Sequence, residues 1–131
     1  MQTTQKFAKS KNVIWITVIS SAEGKQGYIQ PNDALNTFAS FGSFPDHILI
    51  DENGDLGKKF NAKTTPHIFI ADKNKNIVYQ GAIDDAGGSR FWTTDLNQST
   101  NFVKKVVNDI KSNKPLSVSK TRPYGCSVKY G

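Results

Sequence analysis

Apolar residues along this chain gather in short runs separated by polar, glycine- or proline-bearing segments. The first full run, Val13-Ile14-Trp15-Ile16-Thr17-Val18-Ile19, is β-branched and aromatic with no polar alternation, which predicts a strand covered on both faces. Ahead of it, Met1 to Asn12 holds only Phe7 and Ala8 as apolar positions after Met1 and reads as a helix tail or frayed end. Ser20 to Gln30 is a loop. Pro31 then opens a helical pattern, with Asn32 or Asp33 near its first turn, an apolar stripe of Leu35, Phe38, Ala39 and Phe41, and a stop at Gly42. His47-Ile48-Leu49-Ile50 is a short strand and Asp51-Glu52-Asn53-Gly54 a turn, after which Leu56 and Phe60 share one face of a helical turn. Ile68 to Ala71 and Ile77 to Tyr79 form an antiparallel hairpin around the polar loop 72–76, and Gly81 ends it. After an irregular stretch from Asp84 to Thr94, Asn97 to Ser112 predicts an amphipathic helix with Phe102, Val103, Val106, Val107 and Ile110 on one face. Pro115 starts a tail. Helices interleaved with buried strands make an α/β fold in a single domain, residues 1–131.

Charge and cysteine content narrow the function classes. Of 17 Lys and Arg residues, ten fall in 66–131 against five acids, and no acid follows Asp109. These cations are spaced singly, with no helix-turn-helix, KH or RRM signature beside them, so the basic half reads as a solvated flank with no nucleic-acid partner. No stretch approaches the roughly 18 consecutive apolar residues of a membrane span. The polar start lacks a signal-peptide core, so the chain as given is expected to be cytoplasmic, or periplasmic in a longer form. The single cysteine, Cys126, precludes a disulfide or a thiolate zinc site within one chain. No metal or other cofactor is expected: His47 and His67 stand outside any ligand spacing, and Asp84-Asp85 reads as a loop-tethering or capping pair. Gly24-Lys25-Gln26-Gly27 lacks the glycine spacing and the Ser or Thr of a phosphate loop, and Tyr28, Trp92, Tyr124 and Tyr130 form no stacking ladder.

Two positions carry candidate chemistry. Thr64-Thr65-Pro66-His67 runs straight into the hairpin, and its proline is either an edge marker or a cis Thr65–Pro66 bond. A cis bond turns the Thr65 backbone outward toward an extended, thiol-bearing substrate. Cys126 has Arg122 and Lys129 nearby, cations that favour the thiolate a nucleophile needs; the alternative is an inert small hydrophobe.

Four ordered stretches together resemble the C-terminal two-thirds of a bacterial thioredoxin-like protein of the redoxin, or AhpC/TSA-like, group. They are Ser20-Ser21-Ala22-Glu23-Gly24-Lys25-Gln26-Gly27-Tyr28, Ala62-Lys63-Thr64-Thr65-Pro66-His67, Val78-Tyr79-Gln80-Gly81-Ala82-Ile83-Asp84-Asp85 and Arg122-Pro123-Tyr124-Gly125-Cys126-Ser127-Val128-Lys129-Tyr130. The resemblance implies a mixed sheet flanked by helices, thiol–disulfide or peroxide-linked chemistry, and Pro66 as the cis-proline beside the active site. Such proteins begin with a strand and a helix bearing the cysteine nucleophile. Nothing here matches that segment, so the fold is expected to be N-terminally truncated, with residues 1–12 a remnant of the first helix and 115–131 the tail. Without the central strand, three outcomes follow: the Val13–Ile19 strand pairs with Ile68–Ala71, a second copy fills the gap, or the chain is a poorly folding fragment. The functional expectation is weak or absent redox activity, with Cys126 as the catalytic candidate, Thr65, Pro66 and Arg122 contacting substrate, and a thiol-bearing protein or a peroxide as partner. The alternative is a non-catalytic binding or self-assembly module that uses the exposed sheet edge, for instance as a homodimer.

Overall fold

The computed structural model describes residues 2–25, 28–85 and 100–129. It divides the chain into two units, residues 1–62 with 128–131, and residues 63–127.

The first unit begins with helix α1, Gln2–Ser10. Thr4, Gln5 and Ala8 are its buried positions, with Ala8 about one turn beyond both Thr4 and Gln5. The buried Gln5 amide is held at both ends: Nε2 donates to Ser43 Oγ at 2.9 Å, and Oε1 accepts from the Phe44 N–H at 3.1 Å. Asn12 takes a left-handed φ of 59°, and the Val13 N–H bonds back to the Ala8 carbonyl, which stops the helix. Strand β1, Ile16–Ile19, runs parallel to β2, His47–Ile50, with Ile16 opposite His47 and Val18 opposite Leu49. The ladder starts three residues later than the apolar run because Asp46 takes over at its entrance. Its carboxylate accepts from the Trp15 N–H at 2.6 Å, and its own N–H donates to the Trp15 carbonyl.

Two expectations for this unit are corrected. The β1 segment is covered on one face only: Ile14, Ile16 and Val18 are exposed while Ile19 is buried. In the helix after the Pro31–Asp33 turn, α2 (Ala34–Ser40), Leu35, Ala39 and Phe41 are exposed. The inward side is Ala34 with half-buried Phe38, four residues apart. Helix α3, Asp55–Lys59, follows Gly54, whose φ of 75° makes the turn. The Asp51 carboxylate organises this corner, accepting from the Leu56 N–H at 3.1 Å, the Gly57 N–H at 2.8 Å and Ser20 Oγ at 2.7 Å.

The second unit opens with β3, Thr64–Thr65, a cis Thr65–Pro66 bond and β4, Ile68–Ala71. Strand β4 pairs antiparallel with β5, Ile77–Gly81, which ends at Gly81 as the sequence predicts. The connecting loop is held by Asp72, whose Oδ1 accepts from the N–H groups of Asn74 and Asn76. Helix α4, Phe102–Lys111, is capped by Asn101, whose side chain accepts from the Lys104 N–H at 2.9 Å. That cap places the helix start after Asn101 rather than at Asn97, which lies outside the described residues, as do Gln26, Gly27, Trp92 and most of the stretch 84–94. Val103, Val106 and Val107 are buried with Tyr79, Ala82 and Ile83 as the core of the unit.

The tail is structured. Backbone bonds from the Gln80 N–H to the Ser119 carbonyl and from the Thr121 N–H to the Gln80 carbonyl, both 3.1 Å, lay it along the outer edge of β5. Thr121 Oγ1 sits 2.7 Å from the Tyr79 hydroxyl and accepts from the Ala82 N–H at 2.9 Å. A Cβ at Gly81 would collide with Thr121 there, which is why this position, with φ 142°, carries glycine. Cys126–Ser127 then forms strand β6, antiparallel to β3, with Thr64 opposite Ser127 and Thr65 opposite Cys126. The described strands form two-stranded ladders, β1 with β2 in the first unit, and β3 with β6 and β4 with β5 in the second.

Candidate functional site

The candidate residues Thr65, Pro66 and Cys126 meet in the second unit. Lys63 to His67 forms a tight corner: Thr64 Oγ1 donates to the Pro66 carbonyl at 2.9 Å, and the Lys63 N–H donates to His67 Nδ1 at 3.2 Å. Because Nδ1 accepts, the neutral imidazole carries its proton on Nε2. The ring stacks on Phe69 with centroids 4.4 Å apart, and burial, followed by the Lys63 charge, holds His67 below its ordinary pKa. His67 is thus a neutral structural acceptor at the start of the hairpin.

Cys126 reaches this corner through the bend before it. Gly125 has φ 135°, and a Cβ there would strike the Thr65 carbonyl oxygen, so only glycine brings the two backbones this close. The preceding Tyr124 is half-buried, and its hydroxyl donates to Asp84 Oδ1. Burial, the hydrogen bond to Asp84 and the charges of Asp84 and Asp85 push the Tyr124 phenol up to about 12. Asp84 bridges antiparallel to Asn101, and Asp85 exchanges bonds with Thr100, its N–H donating to the Thr100 carbonyl and its carboxylate accepting from the Thr100 N–H at 2.8 Å. The acidic pair ties the segment after β5 to the start of α4 and, through Tyr124, to the tail.

The thiol itself is exposed, as are Thr65 and Arg122. Arg122 follows the buried-edge contacts of Thr121 and precedes Pro123, four residues from Cys126. Lys129 belongs to the first unit, where its carbonyl accepts from the Ala22 N–H at 3.1 Å. His47 is exposed in that unit, opposite Ile16. Among the described residues no three His, Cys, Asp or Glu side chains converge as metal ligands. One cysteine in 131 residues also means that no dithiol can form within them. None of the described helices is long and apolar enough to cross a membrane.

Sequence reasoning missed two groups. The Tyr124–Asp84 link spans 40 residues and the Asp51 hub reaches back 31 residues to Ser20. The nearest signal in the sequence was the glycine immediately before the only cysteine.

No protein-family model matches this chain, and no curated protein matches it. Solved structures do. The chain is similar to an uncharacterized conserved protein from Geobacillus kaustophilus, with a TM-score of 0.79 and 19% identity over 99% of this chain and 68% of that one. It is also similar to a hypothetical protein from Sinorhizobium meliloti 1021, with a TM-score of 0.76 and 20% identity over 99% of this chain and 70% of that one. At these identities the likeness establishes a shared α/β fold.

Proposed function

We propose that residues 1–131 are one thioredoxin-like domain of the redoxin, or AhpC/TSA-like, group, whose thiol chemistry passes through a single sulfur, Cys126. The observation that carries this reading is the register of β6 on β3, in which the exposed Cys126 stands opposite Thr65, the residue before the cis-proline. The four sequence motifs of the resemblance and the lack of a second cysteine support the same limited chemistry. As thiolate, Cys126 attacks one sulfur of a partner disulfide; that S–S bond breaks, a mixed disulfide forms and the partner's other sulfur leaves as thiolate. With a peroxide, the O–O bond breaks, the sulfur becomes a sulfenic acid, and water or an alcohol leaves. Two thiols from another molecule then restore Cys126, releasing water and a disulfide. Arg122 is exposed four residues before Cys126, where it meets a partner, and Thr65 and Pro66 supply the backbone against which that partner lies. The test is glutathione-disulfide adduct formation and peroxide consumption by the chain and by Cys126→Ser. Adduct and turnover present in the former and absent in the latter are expected; equal peroxide consumption by both overturns the reading.

A second reading, non-catalytic self-assembly, rests on β1. Within the first unit this strand pairs with β2 alone, and Ile16, Val18 and Leu49 are exposed on one face of that ladder. A dimer that persists in reductant, seen by light scattering on a sizing column, favours this reading; a monomer removes it.

A further inference from the structure

Two side-chain bonds close the corner from Lys63 to His67, and they answer differently to acid. Thr64 Oγ1 donates to the Pro66 carbonyl, and neither group titrates near neutrality. The Lys63 N–H donates to His67 Nδ1, and an imidazole nitrogen accepts only while it carries no proton. Protonating the ring puts a proton on Nδ1, directly opposite the amide proton that it had accepted. The half-buried ring lies on Phe69 of β4, and the charge that acts on it is the Lys63 ammonium of its own corner. A cationic ring therefore loses a hydrogen bond and meets a like charge, while Phe69 brings no carboxylate in return. The same corner carries Thr64 and Thr65, which form the two-residue ladder with Ser127 and Cys126. So short a ladder is weak alone and depends on how firmly its flanks are held.

We propose that His67 is a proton-operated latch on this corner. Neutral, it ties down the Lys63 amide; protonated, it releases the backbone from Lys63 to Thr65 and loosens the β3–β6 ladder beside it. The direction follows from linkage. Burial and the Lys63 charge hold the folded His67 below its ordinary value of 6.5, so the open corner binds the proton more tightly than the closed one. The latch is therefore fully engaged above the ordinary histidine range and is lost as pH falls through the folded value. The inference is independent of any chemistry at Cys126.

The test is a pH titration of the full, reduced chain by nuclear magnetic resonance, following the His67 ring nitrogens, the Lys63 amide and the ladder amides. The neutral ring is expected to carry its proton on Nε2 and to titrate below 6.5. The Lys63 amide proton should shift with the same midpoint. Exchange of the amides of Thr64, Thr65, Cys126 and Ser127, each taken relative to its random-coil rate, should rise about fivefold on the acid side, the worth of one ordinary hydrogen bond. In His67→Asn, a side-chain oxygen can accept in place of Nδ1 without titrating, so the Lys63 amide and the ladder should be flat with pH. In His67→Phe, which keeps an aromatic ring on Phe69 but has no acceptor, both should hold their acid-side values at every pH. A Lys63 amide that stays still while the ring titrates overturns the latch, as does a neutral ring protonated on Nδ1. Ladder exchange that ignores the titration overturns it too. Should either variant fail to fold, the titration of the unaltered chain decides.

Discussion

The two units use their apolar residues in opposite ways. In residues 63–127, Tyr79, Ala82, Ile83, Val103, Val106 and Val107 are buried, and the one large apolar side chain exposed among the described residues is Ile77. In residues 1–62, the buried apolar set is Ala8, Ile19 and Ala34, while Ile14, Ile16, Val18, Leu35, Phe41, Phe44, Leu49 and Phe60 are exposed. What orders the first unit is a set of polar clamps: Gln5 on Ser43 and Phe44, Asp46 on Trp15, and Asp51 on Ser20, Leu56 and Gly57. One unit is held by a core and the other by hydrogen bonds from side chains to backbone and to other side chains. Substitutions of the same size should therefore have unequal effects in the two.

Truncation of the second unit's core is the most damaging change. Tyr79 is 1% exposed and packs by Phe102, so Tyr79→Ala is expected to remove about 3–5 kcal/mol from the stability read by urea unfolding. A loss below about 1 kcal/mol means that the unit is not held by this core. Next comes the strongest clamp of the first unit. Burial raises the Asp51 pKa, but the hydrogen bonds from Ser20, Gly57 and Leu56 outweigh it and hold the carboxyl below its ordinary range. A folded pKa below the unfolded one contributes stability that is complete above the unfolded value and lost as pH falls through the folded value. Asp51→Asn is expected to lower stability at neutral pH by about 1–2 kcal/mol and to flatten the acid limb of the stability–pH curve. An unchanged acid limb shows that this carboxylate carries no such linkage. The smallest effect falls on the open face: Ile16 is 51% exposed, so Ile16→Ser should shift stability by no more than about 0.5 kcal/mol. A larger loss identifies a covered face, and comparing sizing-column masses of the two chains tells whether a second copy covers it.

How much was legible in the sequence follows the same division between local and distant causes. The strands at His47–Ile50 and Ile68–Ala71 have the bounds their β-branched runs suggest, because the turns at Asp51–Gly54 and at Asp72 are fixed by residues within them. The face of α4 was legible too, since Val103, Val106 and Val107 repeat at helical spacing. Which side of β1 is covered was not, because a run of Val and Ile specifies a strand and leaves its neighbours open. The α2 stripe failed for a related reason: the small Ala34 faces inward while larger Leu35 and Phe41 do not. In the candidate site, Thr65, Pro66 and Cys126 could be singled out by residue type. Their meeting across a ladder could not, because it depends on a tail whose anchors lie about forty residues back in sequence.

That tail has a consequence for synthesis. Strand β5 is flanked by β4 on one side and by Ser119 to Thr121 on the other. A growing chain emerges N-terminus first, so the hairpin forms while its outer edge still lacks the segment that closes it. From the moment Gly81 leaves the ribosome until Thr121 follows, the nascent hairpin presents a bare strand to every other chain nearby. The risk of mispairing is therefore set by the translation time of those intervening residues, and slow codons placed between them should lower soluble yield more than slow codons placed ahead of the hairpin.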